Sequence, residues 1–230
     1  MGLGLKHIYN GHGYRGFRLN EVEQALKSQK KYNRNARFYD FVEFPLEYLF
    51  YSRLRKKYFS ALTGKILDVG IGTGKNINYY HPDAEVTGID FSAGMLDRAR
   101  KKLAGSNRRN IVLAEMDVEN LAFESKSFDY VITSTVFCSV PHPVKGLKEI
   151  QRVLKPEGRA VMIEHVRSKG RLASFLQDLL NPITRLLTGI NINRDTGQNI
   201  KKVGMVIVRE ENLALGDVFK LFIAKNGQAY

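Results

Sequence analysis

The segment richest in chemical content is Ile66-Leu67-Asp68-Val69-Gly70-Ile71-Gly72-Thr73-Gly74-Lys75-Asn76, in which an apolar run passes into three alternating glycines. Glycine reaches backbone conformations that other residues resist, and it lets a ligand approach the main chain closely. A helix opening just after such a turn would present its first free N–H groups to an anionic group. Two familiar nucleotide patterns do not fit. A dinucleotide turn, G-x-G-x-x-G, needs glycine where Lys75 stands, and a phosphate loop needs Ser or Thr after Gly-Lys, where Asn76 stands. Taken alone, the turn is also compatible with a purely structural role.

Two acids add to it. Val86-Thr87-Gly88-Ile89-Asp90 sets a carboxylate at the end of the next apolar run, 20 residues after Gly70. In an open α/β sheet that position can accept from the two ribose hydroxyls of a nucleoside. Ala114-Glu115-Met116-Asp117-Val118 sets another at the end of the third run, suited to accept from an adenine amino group. Either acid singly could be a helix cap or a solvated loop acid. Successive strand ends carrying both are harder to assign to structure alone.

With these residues in place the sequence resembles the class I S-adenosylmethionine-dependent methyltransferases. The resemblance covers roughly residues 30–225 and is specific over 65–165. Asp68-x-Gly70-x-Gly72-x-Gly74 matches the family's first motif, which the resemblance implies wraps the methionine part of the cofactor. Asp90 matches the ribose-binding acid and Asp117-Val118 the adenine-binding pair. Phe128-Asp129-Tyr130-Val131-Ile132-Thr133 matches the fourth strand, and Leu147 through Gly158 the helix and turn before strand five. The cofactor set implied by the resemblance also takes in Tyr32, Phe91, Ser92, Met95, Thr133 and Ser134. S-adenosylmethionine carries its own cationic sulfonium, so the protein supplies orientation and a water-poor channel, and no metal is required.

The acceptor is read from the residues after strand four. An Asn/Asp-Pro-Pro-Tyr/Phe sequence there would point to a base amino group. The chain has Ser134-Thr135-Val136-Phe137-Cys138-Ser139-Val140, mostly apolar, which disfavours nucleic acid. Tyr39-Asp40, Val136–Val140, Ile163-Glu164-His165-Val166 and Asn193-Arg194-Asp195-Thr196 resemble a branch with lipophilic acceptors. That branch includes ubiquinone/menaquinone ring methyltransferases, bacterial phosphatidylethanolamine N-methyltransferases and animal microsomal thiol methyltransferases. The expected partner is therefore a lipophilic small molecule, a phospholipid amine or a quinone ring. A small thiol, or a non-catalytic cofactor-binding scaffold, is the alternative. His165 could take a proton, or be a hydrogen-bonded wall. Glu164 could anchor an acceptor cation or take a proton, or be an ordinary strand-end acid. Tyr39 could orient the sulfonium or the acceptor, or belong to the core. Cys138 reads as a small buried apolar residue.

Positioning these groups requires a regular scaffold. Strand-like runs at Lys65–Val69, Glu85–Ile89, Ile111–Glu115, Phe128–Ser134 and Arg159–Glu164 alternate with helical segments at Asn76–Tyr80, Ala93–Leu103 and Val144–Leu154. This alternation predicts an α/β fold with a doubly wound, seven-stranded, mostly parallel sheet. Met205–Arg209 and Val218–Ala224, with no helix between them, predict an antiparallel C-terminal hairpin. Residues 1–62 read as an N-terminal helical cap whose first 20 or so residues are loop, and 63–230 as the core. A helical insertion over about 166–190 carries Leu172, Phe175, Leu176, Leu179, Leu180, Ile183 and Leu187 on one face, and Pro182 is expected to kink or end its first helix.

Composition sets the context. The 230 residues include 36 Lys/Arg and 23 Asp/Glu, a formal charge of +13, which first points to nucleic acid or membrane. Divided by region, residues 1–65 carry +8 (13 basic, 5 acidic), 66–165 carry none (13 of each) and 166–230 carry +5 (10 and 5). A neutral core lies between basic, amphipathic flanks, which can rest on an anionic membrane surface or simply pack on the sheet with their charges solvated. The longest uncharged run, Tyr130–Val144, has 15 residues and two prolines, too short and broken to span a bilayer. With one cysteine and no secretory signal, a cytoplasmic protein is expected, peripheral at the membrane if the flanks dock there.

Overall fold

The structure, a computed structural model, describes residues 51–227. Most of the expected N-terminal cap, with Tyr32 and Tyr39, lies outside the described residues. Helix α1 (Ser52–Phe59) opens the described chain and leads through a turn into β1 (Gly64–Val69). Next come β2 (Ala84–Asp90), α2 (Ala93–Ala104), β3 (Ile111–Glu115), β4 (Phe128–Ser134), α3 (Pro143–Val153) and β5 (Leu154–His165). Helix α4 (Arg171–Thr188), the short α5 (Thr196–Lys202) and the hairpin strands β6 (Met205–Ala214) and β7 (Phe219–Asn226) complete it.

The strands form one seven-stranded sheet in the order β3-β2-β1-β4-β5-β7-β6. All pairings are parallel except those of β7, which runs antiparallel between β5 and β6, as the C-terminal pattern predicts. Alternate side chains divide the core into two layers, because successive strand residues point to opposite faces. Leu67, Val131 and Met162 pack with Leu147 and Ile150 of α3 on one face. Ile66, Ile132 and Val161 pack with Phe59 of α1 and Leu96 of α2 on the other. Burial on both faces explains why these strands read as continuous apolar runs. Ser92 caps α2, its Oγ accepting from the Met95 N–H at 3.2 Å.

Three local expectations are corrected. The helix expected over Asn76–Tyr80 is only a 3-10 turn, Ile77–Tyr79. The residues that flank it, Asn76 and Tyr80, both donate side-chain hydrogen bonds to Asp68. Pro182 does not end a helix, since α4 runs through it from Arg171 to Thr188. The chain is exposed there, and water can satisfy the Asp178 carbonyl that is left free because Pro182 has no N–H. Strand β5 starts at Leu154, directly after α3, because Phe128 pairs with Leu154 ahead of a register shift.

One constraint holds the glycine turn against the sheet. Gly70 and Ile71 both donate their N–H groups to the Ile89 carbonyl, at 2.8 and 3.0 Å. This close passage needs Gly88, where a Cβ would meet Ile71 Cδ1 at 2.4 Å and Leu113 Cδ2 at 3.0 Å. Gly88→Ala should therefore lower the unfolding free energy by about 1–3 kcal/mol, read from the denaturant midpoint. Gly105→Ala, whose added Cβ would meet nothing nearer than 3.7 Å, should change it by less than about 0.5 kcal/mol.

Candidate functional site

A cleft opens at the C-terminal ends of β1, β2 and β4, where the sheet order reverses between β1 and β4. It holds about 870 Å3 of space, counting the part open to solvent. Gly70 and Gly72 line it, with Asp90, Phe91 and Met95 on the β2 side, Met116, Asp117 and Val118 after β3, and Ser134 to Val136 after β4. Ser139, Val140 and Pro141 continue the last wall. Of the residues singled out in the sequence, Asp68, Gly74, Ser92, Thr133, Glu164 and His165 are not among those that line it.

The three glycines have positive φ, and their surroundings differ. A Cβ on Gly70 would meet Val136 Cγ2 at 2.5 Å, and one on Gly74 would meet Ile77 Cδ1 at 2.7 Å and the Ala99 backbone at 3.1 Å. These two serve packing. A Cβ on Gly72 would meet nothing nearer than 3.9 Å, so that residue presents bare backbone to an open cradle.

Three buried carboxylates frame the cleft. Asp90 accepts from the Gly72 N–H at 2.9 Å and the Ser92 N–H at 2.8 Å, and burial pushes its carboxyl up to about 6. Asp68, fully buried, accepts through Oδ2 from Asn76 at 2.7 Å and from the Tyr80 hydroxyl. Burial likewise raises Asp68 to about 6, against the pull of those bonds and of Arg55. Arg55 reaches Asn76 Oδ1 at 2.6 Å, so α1 is tied into the same network. Asp68 Oδ1 is buried with no hydrogen-bond partner, and so is the Ser134 Oγ on the cleft wall. An unpartnered buried acceptor beside an open glycine cradle fits a ligand bearing a cationic donor.

Glu164 is the third acid. It is fully buried and accepts from the Thr133 hydroxyl at 2.6 Å and the Val136 and Phe137 N–H groups at 3.3 and 3.1 Å. Burial drives its carboxyl up to about 7 despite those three donors. The turn it clamps contains Thr135 at φ +55, a left-handed conformation unusual for a β-branched residue. Such strain persists only where neighbours fix it. The Thr135 N–H bonds the Ile163 carbonyl at 2.7 Å, and its carbonyl accepts from Cys138 Sγ at 3.3 Å. His165, on the opposite face of β5, meets Phe219 edge-on at 5.2 Å between ring centres, and burial holds its imidazole below the usual range. The sequence carried no sign of the strain at Thr135 or of the Arg55–Asn76–Tyr80 network. Arg194, within the Asn193–Thr196 motif, donates to the Val140 carbonyl at 2.9 Å on the cleft rim, a role its spacing does not announce. Among the described residues no group of three or more His, Cys, Asp or Glu could hold a metal ion.

All three carboxyls are raised from 3.8 or 4.5 to about 6, 6 and 7, so the folded chain keeps protons that the unfolded chain has released. Their stabilising contribution is complete below about pH 4 and is lost as pH rises through 6 and 7. Without added ligand, the denaturant midpoint should therefore fall between about pH 5 and pH 8. Glu164→Gln should flatten the part of the fall that runs from about pH 4.5 to about pH 7, an effect of at most about 3 kcal/mol. A midpoint that rises across this interval would contradict the assignment.

The stretch from β1 to β5 is similar in sequence to known proteins. Residues 67–162 match the family model described as "Methyltransferase domain". A phosphatidylethanolamine N-methyltransferase of Cereibacter sphaeroides is 38% identical over 117 residues, 50% of this chain and 58% of that protein. The thiol S-methyltransferase TMT1B of Rattus norvegicus is 34% identical over 143 residues, 60% of this chain and 58% of that one. A demethylmenaquinone methyltransferase of Clavibacter sepedonicus is 44% identical over 101 residues, 44% of this chain and 40% of that one. The match thus spans between two-fifths and three-fifths of these relatives' own length. Residues 67–162 are thus similar to a methyltransferase domain, in line with the resemblance that the glycine run and the strand-end acids carry.

Proposed function

We propose that the chain transfers a methyl group from S-adenosylmethionine to a lipophilic small molecule, a phospholipid amine or a quinone ring. The observation that carries the cofactor half is the open cradle at Gly72 between two buried acids, one of them with an unpartnered oxygen. In this reading the glycine turn and Asp68 hold the methionine part, Asp90 the ribose hydroxyls, and Asp117 with Val118 the adenine. Phe91, Met95, Ser92, Thr133 and Ser134 complete the surround, with Tyr32 reaching in from the cap. The bound cofactor supplies an electrophilic methyl group. The residues orient it and exclude water.

The acceptor half rests on the wall after β4, where Met116, Val136, Val140 and Pro141 are apolar. An amine attacks only when neutral, and a low-dielectric wall favours that form. Glu164 serves by holding the wall in place. His165, kept neutral by burial, is the base this reading reserves for a ring acceptor, and Tyr39 is the orienting group of the cap. Residues 1–62 close the acceptor side, and the basic flanks rest on an anionic membrane surface. Phosphatidylethanolamine and demethylmenaquinone in the names of two relatives support the lipophilic class, and the thiol in the name of a third corresponds to the alternative acceptor.

Calorimetry with S-adenosylmethionine should show binding that Asp90→Ala weakens at least roughly tenfold, the loss expected for hydrogen bonds to a charged group. Unchanged affinity would remove Asp90 from the site. Binding should also weaken as pH falls through about 6, because protonated Asp90 loses acceptor strength. Labelled cofactor incubated with a total lipid extract should mark phospholipid or quinone fractions. Label only in small thiols would shift the reading to the alternative acceptor, and label only in RNA, or nowhere, would refute it.

A further inference from the structure

The feature the methyl-transfer reading leaves unused is α4. Its eight large apolar side chains, Leu172, Phe175, Leu179, Ile183 and Leu187 among them, are each between 45% and 74% exposed. At about 100° per residue they fall within an arc of about 140°. The face turned to the protein is instead the polar one. Gln177 donates to the Val166 and Ile192 carbonyls at 3.0 and 2.9 Å and accepts from the Ser168 N–H at 2.7 Å. The Thr184 hydroxyl adds a contact to the Ile190 carbonyl at 3.2 Å. A surface helix ordinarily does the reverse. Rolling the apolar stripe inward would break these bonds, so the polarity of α4 is fixed outward.

We propose that this face inserts into the surface of a lipid bilayer and brings the rim of the cleft to the lipid. This rests on the lipophilic-acceptor reading for its purpose, and on α4 alone for its geometry. The charges favour a bilayer over the other occupants. Arg171, in the first turn, is exposed about 40° beyond the edge of the stripe, and Arg185, in the last turn, is exposed farther round the helix. The helix's one acid, Asp178, is engaged by Arg167 at 2.7 Å and by Asn193 at 3.1 Å. A second copy of the helix would bring arginines against arginines. The chain's own N-terminal flank, +8 over residues 1–65, carries the same sign. An anionic lipid surface carries the opposite sign and takes the apolar stripe as well. At 18 residues α4 is about 27 Å long, and it would lie in the interface plane. Among the described residues no helix is long and apolar enough to cross a membrane.

The link to the cleft is short. Directly after α4, Asn191 donates its backbone and side-chain N–H groups to the Cys138 carbonyl at 2.8 and 3.1 Å. Arg194 donates to the Val140 carbonyl at 2.9 Å. The segment that leaves the lipid-facing helix thus grips the wall that lines the acceptor side.

Flotation of the full chain with phosphatidylcholine vesicles, with and without phosphatidylglycerol, tests this. Wild type should bind both, more tightly where phosphatidylglycerol is present. Phe175→Asp with Leu179→Asp should weaken both by at least roughly tenfold, leaving the melting temperature and the affinity for S-adenosylmethionine unchanged. Arg171→Gln with Arg185→Gln should weaken binding only to vesicles containing phosphatidylglycerol. A polarity-sensitive dye on Leu179→Cys should shift to the blue with vesicles, and buried Cys138 should stay unlabelled. No wild-type binding, an unaffected aspartate variant, or an unshifted dye would overturn the proposal. So would a wild-type dimer, seen by light scattering, that the aspartate variant splits, because a second copy would then own the face. Methylation of a short-chain, dispersed phosphatidylethanolamine separates the two claims. If it persists without vesicle binding, the insertion falls and the acceptor reading stands. If vesicle binding holds and no lipid is labelled, the reverse is true.

Discussion

Carboxylates taken out of water must find donors, and in this protein that requirement builds the site. Asp68, Asp90 and Glu164 each sit at or near the C-terminal end of a strand, and each is buried. Their donors come from loops that would otherwise have several conformations. Asp90 draws in the Gly72 amide and so pins the glycine turn; Glu164 draws in the Val136 and Phe137 amides and so pins the wall opposite. Asp68 gathers Asn76 and Tyr80, and through Asn76 it reaches Arg55 of α1. All three carboxyls remain raised, so the donors only partly offset the loss of water. That residual gives the open cradle a thermodynamic reason: a cationic or hydroxyl-bearing ligand can supply what the protein does not.

The parts of this arrangement that could be read from the sequence are those fixed by local spacing. The glycine run, the acids at successive strand ends and the closing hairpin depend on period and turn chemistry, which neighbouring residues display. The parts that could not be read depend on partners distant in the chain. Glu164 announces an acid at a strand end, and nothing in its neighbours says that it faces Thr133 and Phe137, 31 and 27 residues away. Tyr80 carries no motif at all, though it completes the Asp68 network. Thr135 looks like a good strand residue, and its left-handed backbone depends on the bonds on either side. For α4 the periodicity gave two faces but not which one turns inward. That is decided by Gln177 and Thr184, which find their partners in the exit from β5 and in the segment after the helix.

The glycine turn and the acids at the ends of β1 and β2 fall within the stretch that matches the methyltransferase domain model, and the relatives similar to this chain are named for an amine lipid, a thiol and a menaquinone precursor. A methyl group already activated by its cofactor asks little of the acceptor side beyond placement and dryness. One cofactor half can therefore serve several acceptors, with the choice passed to the walls. In the reading proposed for this chain, those walls are the turn after β4 and the segments held against it.

This division gives the outward helix a physical logic. A lipophilic acceptor loses solvation free energy on entering water, so an enzyme that meets it in solution works against its partition into lipid. Helix α4 places its apolar stripe outward because its polar stripe is already used by Val166, Ser168 and Ile192. The residues that leave it, Asn191 and Arg194, bond to carbonyls of the turn that Glu164 also clamps. Helix, segment and turn are therefore one hydrogen-bonded unit with apolar surface at one end and the cleft wall at the other. An acceptor leaving the bilayer beside such a helix would meet protein before it met water, and the barrier to entering the cleft would be lowered by the apolar area kept covered along the way.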